Sequence, residues 1–506
     1  MISHRMRAHL PGPALTEAYD RIAADLPQEY PPEALAEAQA AVAELTDPTA
    51  PGHDGIDGER EDLTELAFVT IDPDGATDLD QAMHLGDSPI ERARWRVRYA
   101  IADVGRFIRP GGALDAETRA RGLTDYLPDR RIPLHPPVIS EDAASLLPGA
   151  AKAAYVFVVD VAESGVVVAQ DLVRAVVTSV AQLDYDTVQA DHDAGRPLHP
   201  GMAALPALGA ALLAQQHERG GIDLAIPDQE VARVDEDTYT LAFRPRREIE
   251  DANAQISLLA GRVAADLMLA AGQGILRTLP RPDRETIAEF TAVVRSLGFE
   301  TEGTYQEILE RIDHTGADPA ALAVHYASPM LFRGAGYTVI EPGMDPESAV
   351  QAAVGAPYAH TTAPLRRLVD RFVLPIAWAA AQGVAAPEWA LSALPELPDL
   401  MSAAGSRSRK VENAVIEATE AVLLADRVGE TFEGVVVSQR EANRDRPPRY
   451  EVHFPDPAVV AFVEGEAEVG SRIALELTAV DVGSGEIAFA ISRSVYQPLI
   501  LAAAQK

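Results

Sequence analysis

Residues 69–81 read Val-Thr-Ile-Asp-Pro-Asp-Gly-Ala-Thr-Asp-Leu-Asp-Gln, which crowds Asp72, Asp74, Asp78 and Asp80 into one short segment. Carboxylates this close repel one another. They must be spread into water, protonated, or neutralised by a cation. Oxygen donors alone suit a hard cation such as Mg²⁺, and an ion held there could activate water and stabilise charge on a phosphoryl oxygen. A calcium loop of the EF-hand type is excluded. Gly75 follows Asp72 too soon, Met83 stands where the closing glutamate belongs, and the flanks read as extended rather than helical. Taken alone, an acidic Pro/Gly loop after a strand is more often a solvated turn than a metal site.

The elements that must position these acids follow from the surrounding pattern. An apolar run from Leu66 to Ile71 reads as the strand that delivers them, with Pro73 and Gly75 folding the loop. Further strands are expected at Trp95–Ala102, Ala154–Val161 and Gly165–Val173. Helical periodicity marks Leu15–Leu26 and Pro32–Leu45 in a small N-terminal module (residues 1–50), followed by a Pro/Gly/Asp-rich linker over Thr46–Gly58. It dominates again between about residues 182 and 426, at Gly201–Gln216, Ile249–Ala271, Asp283–Ser296, Leu365–Ala381 and Ser406–Leu424. After Arg427, five short β-runs (Thr431–Val437, Tyr450–Phe454, Ala458–Val463, Arg472–Val480, Glu486–Ser492) suit a small Greek-key barrel of the OB type. The order implies an α+β class, a mixed sheet with helices around it. The expected division is 1–50, 51–426, 427–495 and a tail, 496–506.

The chain has 506 residues, 47% hydrophobic content and no cysteine, which excludes disulfides and thiolate metal sites. No apolar h-region follows Met1, and the longest uncharged stretches, 201–216 and 372–387, carry proline and are short for a bilayer span. A soluble, cytoplasmic protein with no membrane association and no obligate protein partner is expected. The net charge of −34 argues against a polyanionic partner unless the basic residues face it together. They are clustered: Arg130 and Arg131; Arg244, Arg246 and Arg247; Arg366, Arg367 and Arg371; Arg407, Arg409 and Lys410.

Further segments join the acidic loop. They are Ala-Ile-Ala-Asp-Val (100–104), Leu-Pro-Asp-Arg-Arg-Ile-Pro (127–133), Ser-Leu-Leu-Pro-Gly (145–149), Tyr-Ala-His-Thr-Thr-Ala-Pro-Leu-Arg-Arg-Leu-Val-Asp (358–370) and Gly-Val-Val-Val-Ser (434–438). In this order and spacing the chain resembles the bacterial exoribonuclease II / ribonuclease R family over roughly residues 60–495. The resemblance implies an RNB catalytic domain, an S1-type barrel and a processive 3′→5′ exoribonuclease. Such an enzyme acts on single-stranded RNA, releases nucleoside 5′-monophosphates and uses Mg²⁺, or Mn²⁺ in its place.

Carried over residue by residue, the resemblance implies metal ligation by Asp72, Asp78 and Asp80. The family's fourth aspartate falls on Gln81, whose carbonyl oxygen can reach a metal but adds no charge, and Asp74 is the nearest compensating acid. Asp78 and Asp80 are implied in catalysis with Arg366 clamping the scissile phosphate and Glu412 nearby. Arg367 is implied on the RNA backbone, Tyr126 in base stacking, and Tyr185 and Glu250 in checking the ribose. His217 stands near the family's second stacking aromatic. An Arg capping the helix after Pro364, a helix-surface Glu412, and core or surface roles for the aromatics are the structural alternatives. Typical relatives carry two cold-shock-type barrels before RNB, for which this chain has no room; its N-terminal helices, with His4, Arg5, Arg7 and His9, read as a helix-turn-helix-like module. The second functional reading is an RNA-binding protein of the same fold with weak or lost catalysis, Gln81 being the symptom. A third is an acidic interaction scaffold.

Overall fold

A computed structural model of the chain describes residues 12–222, 228–233, 239–244, 247–312, 318–440, 448–455 and 458–492. The strands β1 (Glu61–Asp62), β2 (Phe68–Asp72), β3 (Gln81–Asp87), β4 (Trp95–Ala102), β5 (Ala151–Val161) and β6 (Val167–Asp184) form one mixed sheet in the order β1-β6-β2-β3-β4-β5. Beside β1, which it meets at Glu61↔Ala175 and Asp62↔Val176, the 18-residue β6 pairs with two more strands. Its first part runs antiparallel to β5, from Val161↔Val167 to Ala151↔Thr178, and its last part runs parallel to β2, from Phe68↔Ser179 to Asp72↔Asp184. One strand therefore serves both edges, and β2-β3-β4-β5-β6 close into a ring, as a strongly twisted sheet can.

The described helices include α1 (Gly12–Ala23), α2 (Pro32–Glu44), α3 (Ala113–Arg121), α4 (Tyr185–Asp193), α5 (Leu205–Glu218), α6 (Glu248–Ala271), α7 (Leu368–Gln382) and α8 (Leu397–Leu424). Val69, Ile71, Met83, Leu85 and Val97 on one face of the sheet pack with Leu205, Leu208, Ile256, Leu259 and Phe372 of α5, α6 and α7. Phe68, Ala82, Ala100 and Val173 on the other face pack with Ala38, Ala41 and Leu114 of α2 and α3. The alternation of side chains across each strand produces this two-sided core. Helix α6 is long and apolar enough to cross a membrane by length and composition, and here it lies in the core between α5 and α7.

Residues 12–58 are packed into this body. Leu15, Tyr19 and Ala23 of α1 are buried beside Val411 and Val415 of α8, with Tyr19 Oη 2.8 Å from Thr419 Oγ1. Glu37 of α2 caps α3, its Oε2 accepting from the Ala113 and Leu114 N–H groups at 2.8 and 3.3 Å. The segment expected as a linker is pinned as well. Arg106 donates to the Asp47 carbonyl, Arg174 to that of Ile56 and Trp389 Nε1 to that of Asp54, at 2.8–2.9 Å. His4, Arg5, Arg7, His9, Arg246 and the tail 496–506 lie outside the described residues.

All five C-terminal runs form strands: β7 (Thr431–Arg440), β8 (Arg449–Pro455), β9 (Ala458–Glu464), β10 (Arg472–Asp481) and β11 (Glu486–Ile491), an antiparallel sheet in the order β9-β8-β7-β10-β11. Phe432, Phe454 and Phe489 meet in its core with ring centroids 5.0–5.9 Å apart. At the junction with the larger domain, buried Glu420 of α8 accepts from Gln229 Nε2 at 2.6 Å and the Val460 N–H at 3.0 Å. It makes no ion pair among the described residues, and burial pushes its carboxyl up to about 7. A carboxyl so raised costs nothing while it is neutral in both states, below its ordinary value of 4.5; the cost grows towards pH 7 and is complete above it. Glu420→Gln keeps both accepted hydrogen bonds and removes that cost. It is expected to stabilise the protein by about 2 kcal/mol at pH 8 and to flatten the fall in melting temperature between pH 5 and 7, read by calorimetry across that range.

Candidate active site

The acidic loop is sewn down before its carboxylates are placed. Pro73 and Gly75, the latter at φ 79°, turn the chain out of β2, and the Ala76 N–H returns to the Pro73 carbonyl. Ser145 Oγ donates to the Thr77 carbonyl (2.7 Å) and accepts from the Leu79 N–H (2.9 Å), while Gln182 Nε2 of β6 donates to the Ala76 carbonyl (2.7 Å). The Asp80 carbonyl accepts from the Ala102 N–H at the end of β4. Three elements thus fix one loop.

The acids do not share one environment. Asp80 is buried; its Oδ1 accepts from the Leu365 N–H at 2.7 Å and its Oδ2 lies 3.5 Å from Arg366 Nε. Burial holds the Asp80 carboxyl well above the usual range, against the pull of Arg366 and of the Leu365 N–H. Asp72 is pushed up to about 7 by burial, with Arg366 opposing and Asp78 adding to the rise. The Arg366 side chain is 51% exposed, which leaves donors free for an anionic oxygen. Both oxygens of Asp78, expected as a ligand, are already engaged. Arg131 Nη1 donates to Oδ1 at 2.7 Å and Tyr126 Oη to Oδ2 at 2.8 Å, and Arg131 is itself fixed by Glu141. Asp74 is exposed at the tip of the turn. Gln81 Nε2 donates to the Thr362 carbonyl at 2.5 Å, and its Oε1 accepts from Tyr99 Oη at 2.5 Å.

One wall carries the residues expected to meet sugar and base. The register Asp72↔Asp184 places the first residue of α4, Tyr185, beside the acids, and Asp184 caps that helix through the Thr187 N–H at 2.7 Å. Tyr185 Oη accepts from Asn253 Nδ2 at 2.7 Å; burial first, then the Asp72 carboxylate, raises its phenol. Glu250, in the first turn of α6, closes a capping box with Arg247, 3.1 Å from its Nη1 and 3.2 Å from its N–H. The ring of Tyr126 is 45% exposed, as a stacking platform requires.

Three expected residues are placed otherwise. Arg367 is held twice by Asp370, at 2.5 and 2.8 Å, and Asp370 also accepts from the Ala363 N–H, so this guanidinium braces its own loop. His217 stands in the last turn of α5, 3.6 Å from Glu310. Glu412 is exposed on α8 and makes no ion pair among the described residues. Conversely, Arg131, Tyr99, Ser145, Asn253 and Thr362 contribute contacts that spacing along the chain did not reveal. Arg131, Ser145 and Thr362 stood within quoted motifs, but the partners that tie them to the acidic segment lie 53 or more residues away.

Among the described residues, no three acidic or histidine side chains converge closely enough to hold an ion by themselves. Mg²⁺ is commonly held by one or two carboxylates together with water and substrate phosphates. Asp72 and Asp80 fit that pattern: two hard-oxygen donors whose charge is disfavoured by burial and eased by a half-exposed guanidinium and, at Asp80, by the Leu365 N–H.

Residues 60–382 match the RNB domain, and residues 430–492 match the RNase II-type exonuclease C-terminal S1 domain. Ribonuclease R of Escherichia coli (strain K12) is 28% identical over 410 residues, 75% of this chain and 48% of the relative, so the chain spans about half the length of that protein. An inactive exonuclease of Arabidopsis thaliana is 30% identical over 340 residues, 62% of this chain and 32% of the relative. The fold is shared with Mycoplasma genitalium RNase R in complex with ribose methylated single-stranded RNA (TM-score 0.80, 18% identity, 95% of this chain and 78% of that one). It is shared too with yeast Ssd1, a pseudonuclease (TM-score 0.64, 16% identity, 83% of this chain and 53% of that one). With the matched domain spanning more than half of its length, the chain belongs to the RNB-domain family of the RNase II/R type, with that family's S1 domain at its C-terminal end.

Proposed function

We propose that this protein is a 3′→5′ exoribonuclease that hydrolyses single-stranded RNA processively to nucleoside 5′-monophosphates, with Mg²⁺ or Mn²⁺ held by Asp72 and Asp80. The observation that carries the reading is the pairing of buried Asp80 with a half-exposed Arg366 beside Asp72. When bound, the ion lowers the pKa of a coordinated water and neutralises phosphoryl charge. Hydrolysis joins the water oxygen to the last phosphorus. It breaks the bond from that phosphorus to the 3′ oxygen of the preceding nucleotide, which takes a proton.

The chain's own groups orient this step. Arg366 offers guanidinium donors to the non-bridging oxygens as charge develops on them. Tyr126, anchored by its hydroxyl to Asp78, presents a ring face on which any base can stack. Tyr185, beside Asp72, and Glu250 are the residues assigned here to reading the ribose 2′-OH, the group that separates RNA from DNA.

The second reading, an RNA binder with feeble catalysis, is favoured by the prior engagement of Asp78 and Gln81 and by the inactive relatives of the same fold. A 5′-labelled oligo(A) incubated with Mg²⁺ decides between them. Stepwise shortening from the 3′ end is expected. Tight binding without shortening establishes the binder, and affinity that ignores salt removes both, since phosphate contacts make binding fall steeply with salt.

A further inference from the structure

Position 81, where the family's fourth aspartate is replaced, has a geometry of its own. Gln81 opens β3, and its amide is bonded at both ends. Tyr99 Oη of β4 donates to its Oε1, and Ser257 Oγ of α6 lies 2.8 Å from the same phenol oxygen, so with the phenol proton committed to Gln81 the serine donates. Gln81 Nε2 then donates to the Thr362 carbonyl. The result is one polar chain with a single direction, running from α6 through β4 and β3 into the segment before Arg366. Tyr99 is 1% exposed, so no water competes at the middle of the chain. Three residues beyond Thr362, the Leu365 N–H holds Asp80, and Arg366 follows.

An amide accepts at one end and donates at the other, whereas an ionised carboxylate only accepts. An ionised carboxylate at this position would keep the bond from Tyr99 but set an anionic oxygen against the Thr362 carbonyl, close to two carboxyl groups whose charge is already disfavoured. The amide therefore fits a fastening better than it fits a ligand.

We propose that Gln81 is a positioning residue that clasps the 362–366 segment to the strand start beside Asp80, setting where Arg366 meets the phosphate, and that it does so instead of ligating metal. The inference rests on the reading of Asp80 and Arg366 given above, and hydrogen exchange in the metal-free full chain tests it independently of catalysis.

In Gln81→Glu, the Leu365 and Arg366 amides should exchange about tenfold faster, the effect of losing one buried hydrogen bond. On oligo(A), kcat should fall about 100-fold with KM within about twofold, because the phosphate still binds but is misplaced. The Mg²⁺ concentration for half-maximal rate should not fall. Tyr99→Phe keeps the ring and removes the donor to Gln81 together with the bond to Ser257, so faster exchange of the same amides is expected there should Gln81→Glu fail to fold. Unchanged exchange in either folded variant overturns the proposal. So does a Gln81→Glu protein that retains kcat while needing about tenfold less Mg²⁺, which is what a ligand position would give. If the unaltered chain shortens no RNA, the functional reading fails while the exchange result still decides the role of Gln81.

Discussion

Replacing Asp80 by asparagine is expected to slow RNA shortening about 10³-fold, to leave affinity for single-stranded RNA nearly unchanged, and to make the metal-free protein more resistant to heat. The carboxyl is buried and its charged form is disfavoured by that burial, so at pH 8 the folded state carries a cost the unfolded chain does not. An asparagine oxygen can still accept from the Leu365 N–H, which preserves the packing of the 362–366 segment. What disappears is the negative charge facing Arg366 and any ion. A rise in melting temperature of about 2 °C would correspond to roughly 1 kcal/mol in a large domain. Single-turnover kinetics and differential scanning calorimetry on the same preparation check both arms. Retained activity would remove Asp80 from the chemistry, and a lower melting temperature would mean that the carboxylate serves stability rather than function.

Arg366→Ala is the second large effect. Its guanidinium is half-exposed, so little packing is lost, and the rate is expected to fall 10²- to 10³-fold with a smaller change in KM. The same substitution removes the cation that opposes the rise of the Asp72 carboxyl, already at about 7. With that opposition gone, Asp72 ionises only at higher pH, and the ascending limb of the pH–rate profile should move to the alkaline side. Arg366→Lys restores the charge but not the fork of donors, and recovery of about tenfold is expected. A pH–rate series from 6 to 9 for all three proteins shows whether limb and rate move together. A rate loss with an unmoved limb would place Arg366 on the substrate but not on Asp72.

Local pattern carried most of the elements. The five C-terminal strands, β4 and the helices at 248–271 and 284–296 agree with their apolar periodicity to within two or three residues. Two boundaries missed for physical reasons. β6 continues eleven residues past Val173: it stays paired with β5 as far as Thr178, and its polar end, with Ser179, Gln182 and Asp184, is satisfied by pairing with β2 rather than by apolar burial. α8 starts nine residues before Ser406 because Pro398 occupies its first turn, where proline is tolerated, and Gly405 does not break a helix packed on both sides. In the site, residue types were legible and partnerships were not. Arg367 and Arg366 are adjacent in the chain, yet one is folded back on Asp370 and the other faces Asp80. The engagement of Asp78 by Arg131 and Tyr126 is a tertiary fact that no spacing announces.

The double duty of β6 reaches beyond architecture. Because the strand that ends in Asp72 is hydrogen-bonded along its length to one whose other half is locked to β5, it has no loose margin from which the sheet can fray. Asp72 is thereby mounted on a strand that cannot separate from its neighbour without opening the ring, and the bonds from Ser145, Gln182 and Ala102 carry that footing on to the loop that displays the other acids.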